Sequence, residues 1–202
     1  MVFVMNIFSV FLIPHYFFYI NADVSLKESI TEDFKVFSDG YKLKPFAKMD
    51  FSTFSSVLIK CKELRTLYYY RISKKTKKIH MGRFLELILP SYEGVHLGTQ
   101  IIGKGFYIEH GSSTYIHAER IGDYCWINQN VTIGDSGRGI PTIGDNVKIH
   151  TGAVVIGHIK IGNNVVIGAN ATVVKDVPDN CVVVPEHSYI CKRNGIKCNI
   201  KL

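Results

Sequence analysis

The residues of this 202-residue chain best suited to chemistry are its histidines and cysteines, eight and five in number. His110, His117, His150 and His158 all fall in the second half. An imidazole can move a proton near neutral pH or bind a metal. Zinc would need three of them to converge, and their spacing does not follow the pattern expected for that, so no metal is expected. Cys61, Cys125, Cys181, Cys191 and Cys198 are odd in number and form no C-x-x-C pair. That argues against a disulfide framework or a structural zinc site, and for reduced thiols in a cytoplasmic protein. His110 stands between Glu109 and Gly111. Taken alone, a histidine on a turn needs no chemical explanation.

The elements that must position these groups divide the chain in two. Residues 22–88 read as helical. Ser25 precedes LKESITEDFKVF with Glu28 three residues later, a capping-box pattern, and Leu26, Ile30, Phe34 and Phe37 share one face. DFSTFSSVLIKCKELRTLYYYRI reads as a second helical stretch. Between Lys60 and Arg83 nine Lys or Arg stand against one acid, Glu63. Such a run is commonly a solvated face, or else a surface for acidic lipid or a polyanionic substrate. The net charge of +7 suits an anionic ligand, but no recognition fold accompanies it, so nucleic acid is not expected. The first 20 residues are apolar, interrupted by Asn6, Pro14 and His15, and lack the basic start of a signal peptide. They read as a buried first helix, a membrane-associating segment, or translation begun upstream of the working protein, with Met5 as another start.

From residue 101 helical spacing vanishes and a six-residue period takes over. Ile143, Ile149, Val155, Ile161, Ile167 and Val173 keep the step, and Val147, Ala153, Ile159, Val165, Ala171 and Val177 follow four residues behind each. Upstream, Ile121, Ile127 and Ile133 keep it too. Helices repeat near 3.6 residues and simple strands near 2, so six marks a short strand plus a tight turn. Stacked units bury a core that no single unit could bury. Two breaks interrupt the step: four extra residues around Ser136–Gly139, and one extra between Ile108 and Ile121. Breaks in a solenoid map to loops on one face, often the binding face.

The segments IGKGFYIEHG (102–111), IGDYCWINQNVTIG (121–134) and PTIGDNVKIHTGAVVIGHIKIGNNVVIGANATVVKDVP (141–178) resemble the hexapeptide-repeat acyltransferases, specifically the serine acetyltransferase branch. The resemblance covers about 95–185, half the chain. It implies a left-handed parallel β-helix, usually trimeric, over 91–185, with a helical N-terminal region (1–90) before it and a tail (186–202) after it. It also implies acetyl-CoA as co-substrate and His110 as general base, taking the proton of an acceptor hydroxyl as the oxygen attacks the thioester, with Glu109 beside it. Acetyl-CoA would lie between neighbouring subunits over the late repeats, against Gly152, Ala153, Gly168 and Ala169, with Lys175, Lys192 and Arg193 meeting its phosphates.

The chain departs from the family on the acceptor side. The Asp that pairs with the catalytic histidine, fifteen residues before it, is Val95 here, with Glu93 nearby; Glu109 replaces an Asp that contacts serine; and Ile140 replaces a second active-site histidine. On the cofactor side, Val183-Val184-Pro185-Glu186 departs from the family's closing V-G-V-P-A. The pattern is similar to that of relatives found with surface polysaccharide synthesis, which acetylate sugar hydroxyls, so the expected acceptor is a sugar hydroxyl or L-serine. The expected setting is cytoplasmic, with peripheral membrane contact through the basic stretch open. The alternatives are a metal-dependent β-helix hydratase of the carbonic anhydrase kind and a non-catalytic repeat scaffold.

Overall fold

A computed structural model describes residues 7–43, 46–76, 79–186 and 188–201, apart from the side chains of 7–9, 75, 76 and 79–81. Residues 1–6, and Lys77 and Lys78 of the basic run, lie outside the described residues.

Five helices come first: α1 (Ile13–Ile20), α2 (Val24–Gly40), α3 (Phe51–Lys60), α4 (Lys62–Thr76) and α5 (Ile79–Ile88). Asp23 caps α2, its carboxylate accepting from the Leu26 N–H at 2.9 Å. The start expected at Ser25 therefore lies two residues earlier, because Asp23 offers a charged acceptor to the same orphan amides. Asp50 caps α3 in the same way. The single helical stretch expected over 50–72 is two helices, since Cys61 leaves the helical region at ψ 90°. The break lets Phe54, Leu58, Cys61, Leu64 and Tyr68 all be buried. α1 packs into this bundle through Leu12, His15 and Tyr19. His15 pairs with the Tyr69 hydroxyl at 3.1 Å, and burial pushes its pKa down to about 4, so the ring is neutral. Among the described residues no helix is long and apolar enough to cross a membrane.

The rest is a left-handed parallel β-helix with three faces. One sheet stacks β1 (Val95–Leu97), β4 (Thr114–Ile116), β7 (Thr132–Gly134), β10 (Val154–Ile156) and β13 (Thr172–Val173). The second stacks β2 (Ile101–Ile102), β5 (Arg120–Ile121), β8 (Thr142–Ile143) and β11 (Lys160–Ile161). The third stacks β3 (Tyr107–Ile108), β6 (Trp126–Ile127), β9 (Lys148–Ile149), β12 (Val166–Ile167) and β14 (Val182–Val183). An antiparallel hairpin, β15 (Tyr189–Arg193) and β16 (Ile196–Lys201), closes the described chain. The six-residue step predicted from sequence is the inward position: Ile143, Ile149, Val155, Ile161, Ile167 and Val173 are all buried, as are Val147, Ala153, Ile159, Val165 and Ala171 behind them.

The helical region is bolted to the first coil by a buried ion pair. Arg71 of α4 grips both oxygens of Asp33 of α2, through Nε and through Nη2 at 2.9 Å. It also donates to the carbonyls of Ile102 at 3.0 Å and Gly103 at 2.6 Å, while Asp33 accepts the Phe106 N–H at 3.0 Å. Desolvation pushes the Asp33 carboxyl up to about 6 against the opposing pull of Arg71. Arg71 thus leaves the basic run that sequence reads as a surface.

Candidate functional site

The turn from β3 to β4 carries the motif that sequence singles out. From Ile108 to Ile116 is eight residues, whereas the equivalent step from Ile127 to Ile133 is six. The next step, from Ile116 to Ile121, is five and recovers one of the two. The single extra residue expected here is therefore a two-residue bulge at Glu109–Ser113, followed by a one-residue contraction. His110 sits on this bulge, exposed, with φ +59°. A non-glycine residue in that left-handed region is uncommon and costs of order 1 kcal/mol, so surrounding contacts must hold it.

Those contacts are close. A Cβ on Gly111 would stand 2.5 Å from Val95 Cγ2 and 2.8 Å from Glu63 Cγ. Only glycine lets the turn lie flat on these two side chains. Glu109, half-buried, donates its N–H to the Ile127 carbonyl at 2.9 Å. Its carboxylate accepts from Asn128 Nδ2 at 2.6 Å, and Asn128 Oδ1 pairs with His150 Nδ1 at 3.2 Å. In this arrangement the His150 Nδ1 carries the proton. Sequence reasoning missed this ladder, although the pairing of β3, β6 and β9 puts Glu109, Asn128 and His150 one residue past stacked isoleucines.

The same register gathers the other expected residues. Gly168 follows Ile167 on the next coil, in column with Glu109, Asn128 and His150; beyond the bulge, the pairing of Thr132 with Tyr115 and Val154 puts Gly152 in column with Asn130 and Ser113, and Ala169, next to Gly168, lies on the same corner as the bulge that carries His110. Stacked strands lie about 4.8 Å apart, so three coils from His110 to Ala169 span roughly 14 Å along one corner. Gly152 takes φ +71°, and a Cβ there would meet the Asn170 side-chain oxygen at 2.2 Å; one on Gly168 would meet the Val183 carbonyl at 3.1 Å. Ala169 is exposed, while Ala153 points into the coil core. Lys175 lies past β13 on another corner, and Lys192 and Arg193 are exposed on the terminal hairpin that follows β14.

Beside Glu109 opens a cavity of about 400 Å³, lined by Tyr107, Tyr124, Trp126 and Lys148 of the coil and by Val36 and Gly40 of α2. Lys148 Nζ rests 5.4 Å from the Trp126 ring centroid. Burial, reinforced by Glu109, pushes the Tyr107 hydroxyl up to about 12, so it stays a hydrogen-bond donor near neutral pH. Cys61 and Cys125 are buried free thiols, both pushed up to about 12 by burial, and neither is poised as a nucleophile. Among the described residues no group of three His, Cys, Asp or Glu gathers closely enough to hold a metal.

Comparison with known proteins gives a consistent likeness. Residues 140–175 match the bacterial transferase hexapeptide (six repeats) family. A serine acetyltransferase of Synechococcus elongatus is 42% identical over 108 residues, 51% of this chain and 44% of that protein. One of Staphylococcus xylosus is 40% identical over 128 residues, 60% of this chain and 59% of that protein. The crystal structure of Entamoeba histolytica serine acetyltransferase isoform 3 in complex with cysteine superposes with a TM-score of 0.60 at 30% identity, covering 85% of this chain and 62% of the other. The chain thus spans about half the length of the curated relatives it matches. Residues 140–175 thus match the hexapeptide-repeat transferases, and the chain that carries them is similar to the serine acetyltransferases in both sequence and fold.

Proposed function

We propose that the chain is an acetyl-CoA-dependent O-acetyltransferase with His110 as general base. The observation that carries this reading is the single corner, past β3, β6, β9 and β12, to which the turns carrying Glu109 and His110, Gly152, and Gly168 and Ala169 all belong. His110 takes the proton of the acceptor hydroxyl as its oxygen attacks the thioester carbonyl carbon. The tetrahedral adduct collapses with loss of the sulfur, which receives that proton from the imidazolium, giving an acetyl ester and free CoA. Effective rates come from holding the two substrates in line. Gly152, Gly168 and Ala169 give a corner low enough for the pantetheine arm to lie against backbone. In this reading a second copy, in a trimer, closes the cleft from outside.

For the acceptor we favour a sugar hydroxyl over L-serine. Val95 and Ile140 carry none of the hydrogen-bonding capacity that the family uses around serine, and the cavity beside Glu109 is walled by three aromatic rings. Aromatic faces with a few convergent polar groups suit a pyranose ring. The names of the similar proteins favour L-serine as the second reading. A thiol-release assay with acetyl-CoA and a panel of sugars, nucleotide sugars and L-serine tests both. Free CoA with a sugar at a rate well above that with L-serine is expected. Saturation by L-serine alone would overturn the sugar preference, and no release with any acceptor would overturn the enzyme reading.

A further inference from the structure

The proposed base has no partner on its own coil. Glu109 is turned along the corner to Asn128. Glu93, the acid that sequence offers in place of an Asp at 95, is exposed. The acid that lies against the turn comes from the helical region instead. Glu63, in the first turn of α4, is 0% exposed. Its Cγ and Val95 Cγ2 approach the same point above Gly111, at 2.8 and 2.5 Å. The two side chains therefore share one small space directly beneath the peptide that follows His110. One carboxylate oxygen, Oε2, accepts from the Tyr41 hydroxyl at 2.6 Å. The other, Oε1, is buried and has no hydrogen-bond partner among the described residues. A carboxylate oxygen left unpaired in an interior is costly, and folds keep such a group where it has a task.

We propose that Glu63 is the positioning residue of the general base: on turning inward, the exposed His110 ring donates its Nδ1–H to the unpaired Oε1, which leaves Nε2 free to take the acceptor's proton. The assignment rests on the acetyltransferase reading for its purpose, and on the packing at Gly111 for its geometry. Imidazole bases need such a partner to fix tautomer and ring orientation. The other titratable groups around this carboxylate are Tyr41 at the end of α2, Cys61 before α4, and Tyr107 and Glu109 on the coil. Burial first, then the hydrogen bond to Glu63, raises Tyr41, and burial raises Cys61 and Tyr107, so these three are protonated at neutral pH. Of the two acids, Glu109 is engaged by Asn128, whereas Glu63 has an oxygen to spare.

Glu63→Gln tests the assignment, because glutamine still accepts from Tyr41 through its amide oxygen while offering His110 a donor in place of an acceptor. In the full chain without substrates, an NMR titration of the His110 ring should show its pKa lowered by about one unit or more relative to wild type, as expected for loss of a carboxylate within reach. With substrates, kcat should fall about 100-fold or more while KM for acetyl-CoA holds. Glu63→Asp keeps the charge on a shorter arm and should fall between the two in both readouts. An unchanged His110 pKa in Glu63→Gln overturns the proposal. So does an activity loss that tracks melting temperature equally in both variants. If wild-type protein releases no CoA with any acceptor, the acetyltransferase reading fails, and the titration still judges the contact.

Discussion

Arg71→Met removes the clamp between helices and coil while keeping an unbranched apolar stem in place of the side chain's own. In the native chain the guanidinium satisfies both oxygens of Asp33 and two coil carbonyls, at Ile102 and Gly103. Asp33 is 1% exposed, so the variant strands a carboxylate where water cannot reach it. Breaking a buried pair from one side costs about 3–5 kcal/mol. For a chain of this size each kcal/mol lowers Tm by about 2–4 °C, so a fall of roughly 6–20 °C is expected. The loss has a pH signature. Asp33 titrates at about 6 in the fold, raised by burial above its unfolded value of 3.8. A raised acid contributes stability that is fully present below the unfolded pKa and is lost as pH rises through the folded one. Arg71 counters that loss by holding the ionised form, and without it the folded pKa rises further. The gap between wild type and variant should therefore be small near pH 5 and widen steadily through pH 6 to 8. Asp33→Leu combined with Arg71→Met should recover part of the loss, since an apolar pair leaves no stranded charge. Chemical denaturation of the three proteins across that pH range measures all of this. A gap below about 1 kcal/mol, within the range of an exposed ion pair, or one that does not change with pH, would refute the account of the clamp.

Two further substitutions probe the corner. Gly111→Ala adds a methyl at 2.5 Å from Val95 and 2.8 Å from Glu63, and should destabilise by about 1–3 kcal/mol and displace His110, whereas Gly134→Ala, with nothing within 4 Å, should leave Tm and activity near wild type; equal behaviour of the pair would contradict the close packing beneath the turn. Ala169→Trp, at an exposed position three coils from His110, should raise KM for acetyl-CoA at unchanged Tm; an unaltered KM would move the cofactor off this corner.

The β-helix was legible because its period lies in the inward residues themselves. Each of Ile143, Ile149 and Val155 reports a burial that no neighbour can override. The helices were legible in kind but not in limits. Nothing in VLIKCKELR is a helix breaker, so the turn at Cys61 had to come from packing α3 and α4 to different sides. The candidate base was legible from its motif. What held it was not, because Glu63 and Gly111 are 48 residues apart by number, and Asp33 and Arg71 are 38 apart. A charge run reads as a surface when counted along the chain, yet Glu63 and Arg71 from that run are both buried. The Glu109–Asn128–His150 ladder needed only the coil lengths, and the bulge at His110 and the four-residue insert around Ser136–Gly139 obscured it by making its two coils 19 and 22 residues rather than 18.

The most direct measurement is the rate of CoA release by purified His110→Ala beside wild type, at saturating acetyl-CoA and acceptor, with CoA binding followed by thermal shift. Loss of the general base should lower kcat by about 10²–10⁴-fold while CoA still raises Tm as in wild type. A variant that transfers acetyl groups as fast as the native chain would contradict the role of His110.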